Sequence, residues 1–151
     1  MICFITDKKQ KEKIAESVLL DLPEWFGLPE STREYIEKSQ NMPFWAAMEG
    51  ENPRGFIVLK ETSPHTAEIY VMGVKKSYHG RGFGKQLFEA FHAYAKEKKY
   101  SFLQVKTVQE GHYEEYDRTG EFYKKMGFQE LECLPTLWDE WNPCQIFVRV
   151  V

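Results

Sequence analysis

Apolar positions change their period several times along the chain, and the changes mark its elements. Residues 8 to 21 are charged, with Ile14 and Val18 spaced i, i+4, which predicts a helix. A second helix is expected to start at Ser31 or Thr32 as N-cap and to run towards Ser39. Three short apolar runs follow, Phe44 to Met48, Gly55 to Leu59 and Ala67 to Val74. Polar turns carrying Gly50, Asn52, Pro53, Ser63 and Pro64 separate them, which predicts an antiparallel meander. From residue 84 to 98 the period becomes helical: Gly84, Leu87, Phe88, Phe91 and Ala95 share one face, and Lys85, Glu89, Lys96, Glu97 and Lys98 lie elsewhere. Phe102 to Val108 reads as a strand and Thr119 to Met126 as a short helix stopped by Gly127. Phe128 to Leu134 and Gln145 to Val151 read as closing strands.

The order is mixed α/β. A helix between the strands 67 to 74 and 102 to 108 fits a parallel crossover, which makes the turn after Val74 a natural ligand mouth. With 151 residues, 42% of them hydrophobic and 15% aromatic, one compact domain over residues 1 to 151 is expected. The 20 basic and 23 acidic residues nearly cancel, so no whole-molecule field favours nucleic acid or anionic lipid. Cys3, Cys133 and Cys144 form no C-x-x-C pair and have no histidine at metal-ligand spacing, so no metal is expected and a reduced, cytoplasmic setting follows. Charged residues arrive too early for a signal-peptide core, and no later run approaches membrane-spanning length.

The segment Tyr78-His79-Gly80-Arg81-Gly82-Phe83-Gly84-Lys85 links that strand to the long helix. Three glycines in five positions leave backbone N–H groups unshielded at a helix N-terminus, a place for phosphate; a loop that merely needs positive φ is the other reading. A P-loop would need glycine at His79 and a hydroxyl at Gln86, and in a Rossmann fingerprint the third glycine would come later.

The stretch His79-Gly80-Arg81-Gly82-Phe83-Gly84 resembles the acetyl-CoA signature [QR]-x-x-G-x-[GA] of the GNAT superfamily of N-acyltransferases, with His79 in place of the usual Gln or Arg. Downstream, Phe122-Tyr123-Lys124-Lys125-Met126-Gly127-Phe128 is similar to the family's F-Y-x-x-x-G-F helix end. The likeness spans roughly residues 44 to 134. It implies a central, twisted, mostly antiparallel mixed sheet of about six or seven strands flanked by about four helices. It also implies acetyl-CoA as co-substrate, with His79 through Gly84 and Lys85 around the pyrophosphate and Arg81 as an added cation; solvation is the plain alternative for Arg81 and Lys85. Where the family often has Asn and Ala towards the cofactor on the later helix, this chain has Tyr116 and Thr119, which the resemblance makes cofactor-binding candidates.

Acetyl transfer to an amine needs a neutral nucleophile, a polarised carbonyl and a proton for the departing thiolate. The resemblance assigns the carbonyl and pantetheine to the strand edge Met72, Gly73 and Val74, with Gly73 allowing close approach. It assigns the proton to Tyr123, for which core packing is the alternative. Ala67-Glu68-Ile69-Tyr70-Val71-Met72-Gly73-Val74 is similar to the strand bearing the catalytic Glu of the histone-acetylating branch, and 79 − 68 = 11 matches its interval to the glycine motif. Glu68 is therefore a candidate base, on the same strand face as Tyr70 and Met72 by alternation. A solvated or salt-bridged Glu68 is the other reading; Glu110, His112, Asp117 and a water chain are the other candidate proton acceptors, and the resemblance also allows no dedicated base. Trp138, Asp139, Glu140 and Trp141 either form an acceptor pocket for a cationic amine or cap the core, and Trp25 and Phe26 fall where the family builds its substrate wall. The acceptor is expected to be a small-molecule amine. A protein or peptide amine, and a non-catalytic acyl-CoA sensor, stay open, as does a homodimer.

Overall fold

The computed structural model describes all 151 residues, in two compact units: residues 1–60 with 70–94, and residues 61–69 with 95–151. Seven strands and four α-helices follow the order β1 (Ile2–Ile5), α1 (Lys8–Leu20), α2 (Pro29–Ser39), β2 (Phe44–Glu49), β3 (Asn52–Ser63), β4 (Thr66–Val74), α3 (Phe83–Glu97), β5 (Phe102–Val108), α4 (Glu114–Lys125), β6 (Gln129–Asp139) and β7 (Asn142–Val150). The strands form one sheet in the order β1-β2-β3-β4-β5-β7-β6, and β3 and β4 each pass from one unit into the other.

In the first unit, β1 pairs antiparallel with β2 (Ile2 opposite Ala47, Ile5 opposite Phe44), and β2 turns into β3 through the two-residue hairpin Gly50-Glu51. Alternation along these strands sends Phe44, Ala46, Phe56 and Val58 to one core, shared with Ile14, Ala15, Val18 and Leu19 of α1 and Ile36 of α2. Trp45 points the other way, edge-on to Phe91 of α3. Burial of Leu87, Phe88 and Phe91 anchors α3, at about 1.5–3 kcal/mol for each large side chain. Asp7 caps α1 through the Gln10 N–H (2.9 Å), and Pro29 opens α2. Lys11, buried on α1, donates to the Met42 and Gln40 carbonyls at 2.7 and 3.3 Å, closing the C-terminus of α2. Burial and the neighbouring Lys8 charge lower its pKa.

In the second unit, β4 and β5 run parallel over Thr66–Ile69 and Phe102–Val105, as a helical crossover requires. β5 continues antiparallel to β7, and β7 to β6. Tyr123 of α4 packs its ring on Phe128 (5.9 Å between centroids) and Phe147 (6.1 Å). Arg149 donates to the Met126 carbonyl at 2.6 Å, and Gly127, with φ +92°, ends the helix.

Several boundaries move from their sequence-based positions. Ile2–Ile5, given no element, is an edge strand. α4 begins at Glu114, five residues ahead of Thr119, with Glu114, Glu115 and Asp117 in its first turn, where acids meet the positive end of the helix dipole. β6 extends past Pro135 to Asp139, because proline is tolerated in an edge strand where no ladder bond needs its missing N–H. The segment around Trp138 and Trp141 is therefore the tip of a β6–β7 hairpin that pairs Asp139 with Asn142, not a loop. Trp138 is 43% and Trp141 71% exposed, so neither caps a core.

Candidate functional site

The glycine turn is built by backbone conformation. Gly80 and Gly82 have φ of +75° and +82°, and a Cβ placed on either would meet nothing within 4 Å. Both sit in the left-handed region that favours glycine, and both face open space where a side chain would be. Residues 79 to 82 are exposed. α3 starts at Phe83, and the Gln86 N–H closes its first bond onto the Gly82 carbonyl at 3.1 Å. That leaves the amides of the first turn as the positive end of a 15-residue helix. From Lys75 to Lys85 the sequence carries Lys75, Lys76, Arg81 and Lys85 and no acid.

The side chain of His79 turns back: its Nε2 donates to the Val74 carbonyl, and its ring meets Trp25 edge-on at 5.9 Å. The loop after α1 is tied to the same turn at Lys76. The Lys76 N–H donates to Asp21 Oδ2 (2.8 Å) and its ammonium to Glu24 (2.7 and 3.0 Å), and this hydrogen bond holds the Glu24 carboxyl below its usual pKa. Trp25 thus lies beside the turn, while Phe26 packs on Tyr35 of α2 (5.9 Å), which meets Tyr70 of β4 (5.2 Å).

Along β4, Gly73 has a packing role against α1 and the loop that follows it. A Cβ there would lie 2.9 Å from Leu22 and 3.2 Å from Val18, so its missing side chain makes room for α1. Val71 belongs to the core shared with α1, against which Gly73 also packs, and the Tyr70 ring reaches Tyr35 of α2. Met72 and Val74 are half-buried.

Glu68 alone among the acids is buried, at 5% exposure. It accepts from Gln104 at 2.9 Å and lies 3.4 Å from the Lys106 ammonium, so the ion-paired arrangement is the one observed. Tyr123 is 6% exposed among the rings described above. Thr119 donates its hydroxyl to the Glu115 carbonyl one turn back (3.1 Å), and Tyr116 packs on Tyr113 (6.1 Å). Glu110 pairs with Lys124 at 2.9 Å, with Gly120 leaving the space for its carboxylate, and Asp117 accepts from the Gly111 N–H (2.8 Å). His112 is exposed. Sequence reasoning passed over Arg54, whose guanidinium stacks on Tyr78 and Phe83 at either side of the glycines. No group of three His, Cys, Asp or Glu side chains is arranged to hold a metal, and no helix is long and apolar enough to cross a membrane. A groove of about 400 Å³ on the second unit, lined by Phe102, Gln104, Leu131 and Val148 among others, contains none of the motif residues.

Residues 40–130 match the family model described as acetyltransferase (GNAT) domain. Among curated proteins, an uncharacterised N-acetyltransferase, YvbK, of Bacillus subtilis strain 168 is 35% identical over 96 residues, 64% of this chain. The chain spans 57% of that relative's length. Among solved structures, Ard1 from Thermoplasma volcanium superposes with a TM-score of 0.78 at 21% identity, covering 100% of this chain and 97% of that one. A GNAT family acetyltransferase from Elizabethkingia anophelis with acetyl-CoA bound gives 0.71 at 18% identity, covering 90% of each. The match of the family model over more than half of the chain, on a seven-stranded sheet that places an open glycine turn at the head of α3, makes this protein a member of the GNAT acetyltransferase family.

Proposed function

We propose that the protein is an acetyl-CoA-dependent N-acetyltransferase that moves the acetyl group directly to a primary amine of a small molecule, with both substrates bound together. The observation that carries this reading is the exposed turn at Gly80 and Gly82, with positive φ and open space where a side chain would be, at the head of α3, where unpaired first-turn amides favour an anion. The acetyl-CoA in the E. anophelis relative supports the choice of donor.

In this reading the amides of residues 79 to 85 hold the diphosphate, with Arg81 and Lys85 adding charge. The β4 edge at Met72, Gly73 and Val74 donates to the thioester carbonyl. The amine loses its proton to Glu68, directly or through water, and attacks the carbonyl carbon. A tetrahedral intermediate forms; its collapse breaks the C–S bond, Tyr123 gives its hydroxyl proton to the thiolate, and the nitrogen sheds its second proton to the resulting phenolate, directly or through water, leaving neutral amide, CoA thiol and tyrosine. Glu68 already holds Gln104 and Lys106, so a structural role competes with the base role for that residue. Trp25 and Phe26 belong to the acceptor side.

The test is release of free CoA thiol from acetyl-CoA across a panel of small amines, amino acids and peptides. Turnover with small amines supports the reading, and turnover confined to peptide amines replaces the acceptor. Tyr123→Phe is expected to lower kcat about 10²-fold or more, within the usual range for removing a general acid; undiminished turnover removes the tyrosine from the chemistry.

A further inference from the structure

Arg54 lies near the start of β3, outside both family motifs. Its side chain is 21% exposed, and its guanidinium carbon lies 5.1 Å from the ring centroid of Tyr78 and 5.1 Å from that of Phe83. These rings form an edge-to-face pair 6.0 Å apart. Tyr78 is the last residue of the short 3-10 turn ahead of the glycines, and Phe83 is the first residue of α3, so one cation rests on both flanks of the turn. Arg81 lies 5.6 Å from the Tyr78 ring, and the Arg54 carbonyl accepts the Lys75 N–H at 2.8 Å. Glu49 closes an ion pair on Arg54.

The arrangement carries a cost. Arg54 Nε is buried without a hydrogen-bond partner, and a buried unpaired donor on a cation is expensive. Methionine could stack on the same rings without it. A charge kept in such a place, beside a segment with four cations and no acid, points to use of the charge.

We infer that Arg54 is a positioning residue for the cofactor diphosphate: it fixes Tyr78 and Phe83 so that the glycine turn keeps its amides outward, and it adds positive potential to the head of α3. Glu49 partly offsets that potential. The inference rests on the acetyl-CoA reading, and it makes two substitutions act in opposite directions, which loss of packing alone cannot do.

The experiment is calorimetric titration of CoA and of dephospho-CoA into wild type, Arg54→Met, Arg54→Lys and Glu49→Gln, from about 50 mM to about 500 mM salt. Arg54→Met is expected to weaken both ligands by the same factor, about tenfold at low salt and less at high salt, while Arg54→Lys recovers most of the loss. Glu49→Gln is expected to tighten both about threefold at low salt. Losses in Arg54→Met that do not depend on salt, or unaltered binding in both Arg54→Met and Glu49→Gln, overturn the inference. If Arg54→Met fails to fold, the sign of the Glu49→Gln effect decides alone. Wild type that binds neither ligand ends the acetyl-CoA reading and this inference with it; wild type that binds beside indifferent variants ends only the role of Arg54.

Discussion

Alanine at Gly82 separates the strain of the turn from the packing of the fold. Gly82 has φ +82° and open space around its missing Cβ, so the methyl group meets no atom and the whole perturbation is conformational. Holding a non-glycine residue in the left-handed region costs about 1–2 kcal/mol. How that cost is expressed depends on what surrounds the residue. Between the held flanks of the turn, residues 80 to 82 are exposed, with nothing within 4 Å of a Cβ at either glycine, so Gly82→Ala relaxes locally and must be restored to bind; about 1–2 kcal/mol then becomes roughly a 5- to 30-fold loss of CoA affinity. Gly50 is the matched control. Its φ is +60° with equally open surroundings, but the β2–β3 ladder pins it, with Glu49 opposite Asn52. Gly50→Ala cannot relax, so it lowers the melting temperature, at about 2–4 °C per kcal/mol for a chain of this size, and leaves CoA affinity as it was. Calorimetry with CoA and thermal unfolding of both variants decide the matter. If Gly82→Ala binds CoA like wild type, or if Gly50→Ala loses as much affinity, the turn does not owe its binding to the conformation of its glycines.

Three further outcomes follow from the same geometry. Gly73→Ala drives a methyl group to 2.9 Å from Leu22 and 3.2 Å from Val18, so it is expected to cost about 1–3 kcal/mol in chemical denaturation; an unchanged midpoint would mean α1 gives way freely. Glu68→Gln removes the ionic partner of Lys106 while keeping an acceptor for Gln104, a cost of about 1–2 kcal/mol after allowing for the partly exposed lysine. If Glu68 is also the base, the alkaline rise of kcat/KM changes shape in this variant, whereas a wild-type pH profile assigns the proton elsewhere. The Glu24 carboxyl is held below its usual value of 4.5 by the hydrogen bond from Lys76, so the pair's contribution is complete above that pH and is lost as pH falls through the depressed value. An NMR titration should show Glu24 ionising at lower pH in wild type than in Lys76→Met; equal titration in both would break the tie between that loop and the turn.

The sequence made the crossover legible because α3 carries its apolar residues on one face and β4 and β5 are short apolar runs on either side of it. Spacing and chemistry agree there, and Phe102–Val108 has the boundaries that the pattern sets. β1 escaped because four residues are too few to show a period, and its pairing with β2 is a long-range event. The start of α4 was written in Glu114, Glu115 and Asp117, a first-turn acidic signal outweighed by the choice of Thr119 as the start. The pattern stops this strand at Leu134 because the next residue, Pro135, cannot donate to a ladder, and only the edge position of β6 makes that proline harmless. The glycine turn was legible because the positive φ at Gly80 and Gly82 demands the same residue that the motif carries there. Gly73 was legible only as a glycine; that it yields to Leu22 and Val18 belongs to tertiary packing. Arg54 was invisible for the same reason, since Tyr78 and Phe83 are 24 and 29 positions away (78 − 54 and 83 − 54).

The most direct measurement is a calorimetric titration of the wild-type protein with acetyl-CoA beside adenosine 3′,5′-bisphosphate, which lacks the diphosphate and the thioester. Saturable one-to-one binding of acetyl-CoA in the range of about micromolar Kd, with far weaker binding of the bisphosphate, is the predicted result. Heats indistinguishable from dilution for acetyl-CoA, or equal affinity for both compounds, would contradict it.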